Sequence, residues 1–225
     1  MSFQDKLLDS FIAFEQVIDL DNPIHTDRKN ALKRFESKGF PTKKDELWKY
    51  TSLKSITQKD YSLSVKNNPN VGLKDIKKYS INDIDSYKIV FVDGVFNPFL
   101  SNTTHDGMDV CVLSAALSKS KYKKTINKYF NNIVPDDQSL ASLNTSYTQE
   151  GAYIHIPKSV LPEDPVQILH FSSGKNKPLW LQPRNIIIVE ENARVEIIER
   201  HQSLRTHDGI TTVSYTHLRA HETST

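Results

Sequence analysis

Near the N-terminus apolar residues recur at helical spacing. Phe3, Leu7, Phe11, Phe14 and Ile18 fall on one face, with Leu8 and Ile12 beside them, which predicts an amphipathic helix. Asp21-Asn22-Pro23 stops it. A second helix is expected from Thr26, as N-cap, through Ala31, Leu32 and Phe35, with Gly39 as C-cap and Pro41 beyond. Thr42 and Asp45 then have the spacing of a capping box. Residues 55–80 are polar and rich in Lys, Asn and Ser and read as loop. A strand opens over Tyr87 to Phe91, and Val92-Asp93-Gly94-Val95 is a hairpin signal. Residues 113–132 read as helix with lysines outward.

From Gly151 the period changes from 3.6 to 2. Ala152, Ile154 and Ile156 alternate with Tyr153 and His155. Val166 to Phe171 is a second strand and Asn185 to Val189 a third. Val195 and Ile197 alternate with Arg194, Glu196 and Glu199 in a fourth. No link between them is long enough for a crossover helix. Two architectures fit that pattern: an antiparallel meander, or a β-solenoid whose strands turn corners onto different sheets. The chain thus divides into a helical and mixed region over 1–135, a β region over 136–204, and a tail over 205–225 that loses the strand rhythm.

Composition narrows the class. With 29 basic and 27 acidic residues and a net charge of +2, nothing points to nucleic acid or an anionic membrane surface. No apolar run approaches the roughly 18 residues of a membrane-spanning helix. The N-terminal stretch mixes acids with its apolar residues and does not read as a signal peptide. The single cysteine, Cys111, forms no intrachain disulfide, which fits a cytoplasmic location. Nor can it hold an iron–sulfur cluster, which needs about four thiolate or histidine ligands. Its setting in Met108-Asp-Val-Cys-Val-Leu113 reads as a buried, inert thiol.

The chemistry sought in the chain gives no catalytic, cofactor-binding or metal-ligating assignment. His217 and His221 are four apart, but Leu218 and Ala220 stand where a zinc-protease helix needs glutamate. His155 and His170 read as ordinary sheet histidines, because no second ligand lies near either in sequence. Ser173-Gly174-Lys175 resembles the end of a phosphate loop, yet Leu169 and Asn176 occupy two of its required positions. The paired acids Asp136-Asp137 and Glu190-Glu191 read as solvated turns. Lys121, Lys123, Lys124 and Lys128 read as a wetted helix face. Trp48 and Tyr50 read as packing of the helical region, with a partner anchor as the functional alternative.

Four blocks in order carry a family resemblance. Gly39-Phe-Pro-Thr-Lys-Lys-Asp-Glu-Leu-Trp-Lys-Tyr-Thr-Ser-Leu53 is similar to the N-terminal signature of SufD within the SufB/SufD family of iron–sulfur cluster assembly proteins. Val90-Phe-Val-Asp-Gly-Val-Phe96 is similar to the next block. Leu140 to Thr145 with Gly151-Ala-Tyr-Ile-His-Ile-Pro157 is similar to a third. Gln182-Pro-Arg-Asn-Ile-Ile-Ile-Val189 with Glu191-Asn-Ala193 and Glu199 is similar to a fourth. The resemblance implies an α+β chain: an N-terminal helical region followed by a right-handed parallel β-helix, of which 136–204 is the start.

The resemblance also implies a non-catalytic scaffold subunit of a SufBCD complex. Its partners are a SufB-like subunit and the ABC-type ATPase SufC, and it has a link to iron acquisition. The complex handles iron–sulfur clusters and ATP, the latter through SufC, and this segment binds no cofactor itself. The family's functional segment lies in its C-terminal part, so no site residue is carried over. The stretch Val213 to Thr223 resembles translated sequencing-adapter read-through. The tail is therefore expected to be non-native or disordered, and the record to be a truncated N-terminal fragment. The alternatives are a SufB-type subunit that hosts the cluster, or a carbohydrate-active β-solenoid enzyme.

Overall fold

The N-terminal apolar stripe sets the first layer. A computed structural model describes residues 1–16, 24–62, 70–79, 81, 84–104, 107–130, 138–148, 150–173, 178–204, 211–212 and 215–220, the last two stretches as backbone. Helix α1 (Phe3–Glu15) starts at Ser2, whose hydroxyl accepts the Asp5 N–H at 3.1 Å while the Asp5 carboxylate accepts the Ser2 N–H at 2.8 Å. It buries Phe3, Leu7, Phe11 and Phe14, as the spacing requires; Ile18 lies outside the described residues. Helix α2 (His25–Lys38) has Ile24 at its N-cap with no side-chain cap, so Thr26 falls inside it. It ends at Gly39, where φ is +68°, a conformation glycine adopts without a Cβ penalty.

Two short helices, α3 (Lys54–Thr57) and α4 (Leu73–Ile76), occupy the stretch that reads as loop. Helix α4 buries Ile76, and Tyr61 and Val71 are buried in the same stretch outside the helices. Strand β1 (Tyr87–Val92) turns through Asp93 and Gly94 into β2 (Val95–Phe96). Both turn residues have positive φ, 50° and 81°, as a type I′ turn demands. Strand β3 (Asp109–Val112) leads into helices α5 (Leu113–Ser118) and α6 (Ser120–Tyr129). The single helix expected over 113–132 is divided at Lys119, which has an extended backbone. Helix α7 (Ser139–Tyr147) packs on α2.

The remaining strands are β4 (Ala152–Ile156), β5 (Val166–Ser172), β6 (Trp180–Leu181), β7 (Arg184–Val189), β8 (Ile197–Ser203), β9 (Thr211–Thr212) and β10 (Tyr215–Ala220). They distribute over three sheets, ordered β2-β1-β5-β8, β10-β7-β4-β3 and β6-β9. From β4 onward consecutive strands enter different sheets. The pairs β1·β5, β5·β8, β4·β7, β7·β10 and β6·β9 are parallel, while β1·β2 and β3·β4 are antiparallel.

Alternation along these strands builds three cores, and the helices build a fourth. Ile89, Phe91, Val110, Ile154, Ile168 and Ile187 meet between the two larger sheets. Tyr153, Ile186 and Ile188 face the opposite way, onto α5 and α6. Val90, Val92, Leu169 and Phe171 cover Val71, Ile76 and Leu100. Phe3, Phe35, Tyr61, Tyr147 and Trp180 form an aromatic core among the helices. Strands apolar on both faces, such as Asn185 to Val189, are therefore central strands.

This architecture corrects the expectation of a right-handed parallel β-helix. An α+β composition agrees with the structure, but the described residues form a mixed α/β assembly of small sheets with no closed solenoid. The reason lies in β1, β2 and β3. They come from the N-terminal region, join the two larger sheets and end one edge of each in an antiparallel pair. An antiparallel meander is not formed either, because β4, β5, β7 and β8 pair in parallel.

Candidate functional site

The in-register parallel ladder of β1, β5 and β8 brings Phe91, His170 and His201 into one row. Strands in such a ladder lie about 4.8 Å apart, a spacing that stacks flat rings. The Phe91 and His170 rings have centroids 4.9 Å apart and planes 11° apart. The His170 and His201 rings are 4.5 Å and 7° apart. Glu199 stands two residues before His201 on β8, hence on the same face. Its Oε1 lies 3.0 Å from Nε2 of His201 and 3.9 Å from Nε2 of His170. From the facing sheet, fully buried Asn185 donates its side-chain amide to Glu199 Oε1 at 3.0 Å. Asn185 is fixed in turn because its Oδ1 accepts the Ala152 N–H at 2.8 Å.

The environment is graded. His170 is only 8% exposed, and its Nε2 has no hydrogen-bond partner. Burial pushes its pKa down to about 3; a charge on His201 would push the same way and Glu199 opposes. His170 is therefore a neutral imidazole at physiological pH. His201 is exposed and opens the cluster to solvent. The donor atoms of His170, Glu199 and His201 all lie within 4.8 Å of one another. Two imidazoles and a carboxylate at such distances can hold a divalent ion.

The other singled-out residues fall elsewhere. His155 bridges two acids, with Nε2 2.9 Å from Glu190 Oε1 and Nδ1 3.6 Å from Asp109 Oδ2. Glu191 pairs with Lys158 at 2.7 Å, while Glu190 accepts the Lys158 N–H. Lys121 and Tyr122 both donate to Asp109 at 2.8 Å. Burial works against the Asp109 charge, yet those bonds hold its carboxyl below the usual range. Lys123 and Lys124 are exposed, as a wetted face requires. Ser173 donates to buried Asp93 through both its N–H and its hydroxyl. Gly174, Lys175, Asp136, Asp137 and His221 lie outside the described residues, and His217 is described only as backbone on β10.

Trp48 is half-buried, whereas Tyr50 is 91% and Leu47 83% exposed. The packing expectation thus fails for Tyr50, whose ring has the Lys49 ammonium 5.7 Å from its centroid. Cys111 is partly buried against the α5 and α6 core, and burial raises its thiol pKa to about 11. That matches the inert reading.

The sequence neighbourhood of His170 offers no second ligand; the fold supplies two, from the next strand of the ladder. Glu199 falls in a quoted block without a role, and His201 lies in none. Only strand register could have joined them to His170.

Comparison with known proteins places the chain in a family. Residues 1–168 match the SufBD protein N-terminal region. An iron–sulfur cluster assembly SufBD family protein of Synechocystis is 24% identical over 186 residues, 83% of this chain and 41% of that protein. The iron–sulfur cluster assembly protein SufD of Escherichia coli is 25% identical over 170 residues, 74% of this chain and 36% of that protein. A SufBD family protein of Staphylococcus aureus is 31% identical over a shorter stretch, 34% of this chain and 16% of that protein. The chain thus spans about two fifths of the length of the first of these relatives.

Proposed function

The chain belongs to the SufB/SufD family of iron–sulfur cluster assembly proteins, and from that premise we propose that it serves as a scaffold subunit of a SufBCD complex. In this reading it is not itself an enzyme. It docks a SufB-like subunit, engages the ABC-type ATPase SufC, and serves the iron-acquiring side of cluster assembly. The family match over residues 1–168 carries the proposal. The likeness to a protein named SufD supports the SufD branch over the SufB branch.

Three features of the chain support it. Cys111, the one cysteine of this sequence, is held as a thiol by burial, so in this reading the segment itself supplies no cluster thiolate. The phosphate-loop likeness at Ser173 lacks two required residues, which in this reading leaves ATP hydrolysis to SufC. Among the described residues no helix is long and apolar enough to cross a membrane.

Affinity purification from the source cells, with an antibody raised against residues 1–200 and read by mass spectrometry, tests the reading. Recovery of a SufB-type subunit together with an ABC-type ATPase is the expected result. Recovery of the chain with neither overturns it.

A further inference from the structure

We propose that His170, Glu199 and His201 form a binding site for one divalent first-row transition-metal ion of the zinc and ferrous class. Three independent observations converge on it. The first is an orphan: Nε2 of His170 is buried and unpartnered, 3.9 Å from the Glu199 carboxylate, too far for a hydrogen bond. A buried polar atom left unmade costs about 1–3 kcal/mol, and coordination would satisfy it. The second is orientation. Asn185, locked by the Ala152 N–H, holds the Glu199 carboxylate toward the two rings. Outer partners of this kind fix the ligands of metal sites. The third is access. His201 reaches solvent at the edge of the described ladder, giving an ion an entry path and leaving the remaining coordination positions to water.

The donor chemistry selects the ion. Imidazole nitrogens suit zinc, ferrous iron and cobalt, whereas calcium and magnesium require mostly oxygen ligands. One carboxylate leaves a bound dication with a net charge of about +1, tolerable only because the site opens on one side to water. The competing role is purely structural: a stacked ring pair with Glu199 as its acceptor. The inference rests on this geometry and not on the family assignment.

The test titrates the chelator-stripped chain with cobalt(II), followed by visible absorption, and with zinc(II) by equilibrium dialysis. One ion per chain is expected, with a ligand-field spectrum of nitrogen and oxygen donors. His201→Ala, at an exposed position, and Glu199→Gln, which keeps an acceptor for Asn185, are each expected to weaken binding by at least about 100-fold. Asn185→Ala is expected to weaken it by about tenfold. Zinc should raise the melting temperature of the parent chain and leave that of His201→Ala unmoved. The double variant His217→Ala/His221→Ala should bind as the parent does. No binding, or binding unchanged in both His201→Ala and Glu199→Gln, overturns the site. So does binding lost only in the His217/His221 variant.

Discussion

Asn185 ties the two larger sheets together through Glu199. Its amide nitrogen donates to the Glu199 carboxylate on β8 at 3.0 Å, while its amide oxygen accepts the Ala152 N–H beside it on β4. Asn185 is fully buried, so its bond to the Ala152 N–H is shielded from bulk water, while the Glu199 carboxylate is partly exposed. Replacing it by alanine strands a buried backbone donor and frees the carboxylate. Asn185→Ala is expected to lower stability by about 1–3 kcal/mol, read from urea unfolding midpoints. A loss within about 0.5 kcal/mol, the ordinary range for surface changes, would show that the bridge contributes little.

Among the described glycines, Gly151 lies closest to neighbouring backbone. A Cβ built there would stand 1.9 Å from the Arg184 carbonyl oxygen and 2.5 Å from its carbon. The two segments are also joined by the Arg184 N–H donating to the Glu150 carbonyl at 3.1 Å, and a third segment holds Gly151, whose carbonyl accepts the Leu113 N–H at 2.8 Å. Backbone held on both sides cannot yield cheaply. Gly151→Ala is therefore expected to cost at least about 3 kcal/mol, the upper end of overpacking penalties, measured by denaturant titration. A near-neutral variant would mean that β7 and the Glu150 turn separate easily.

Local patterns in the sequence map well onto local structure. The stripe of Phe3, Leu7, Phe11 and Phe14 is buried as spaced, Asp93-Gly94 makes its hairpin, and Gly39 ends its helix. Pairings between distant strands were not legible. Alternation fixes which face of a strand is buried but not which strand lies beside it. The β-helix expectation failed there, because β1 and β3 had no visible claim on the later sheets. The cluster around His170 was hidden for the same reason: its ligands are neighbours only across the β5·β8 ladder. Tyr50 misled in the opposite direction. Its aromatic bulk suggested packing, but the 3₁₀ turn over Glu46–Trp48 leaves it in solvent.

Cys111 should be slow to react in the folded chain. Burial against the α5 and α6 core is the main reason its pKa stands at about 11 against an ordinary 9.0. Lys119 pulls the other way, and Asp109 and Glu150 add to the rise. Only the thiolate attacks disulfide reagents, so at pH 8 the reactive fraction falls on the order of 100-fold. Labelling with an aromatic disulfide should accelerate by about that factor on unfolding in urea. Equal rates in the folded and unfolded chain would place the thiol in solvent.

Glu150 should make folding pH-dependent with the opposite sign to an ordinary salt-bridged acid. Burial raises its pKa above the ordinary carboxyl value of 4.5. Bonds from the Ser114 N–H at 3.2 Å and the Ser114 hydroxyl at 2.9 Å offset part of the rise. The folded chain thus keeps this proton at pH values where the unfolded chain has already lost it. Because the folded state binds more protons there, stability falls as pH climbs from the unfolded value through the folded one, and stays flat beyond it. Glu150→Gln keeps an acceptor for Ser114 and removes the titration. Unfolding free energies measured between pH 4 and pH 8 should therefore fall less steeply with rising pH for the variant, leaving it the more stable chain at neutral pH. Parallel curves for the two proteins would show that Glu150 titrates in the folded chain as it does in water.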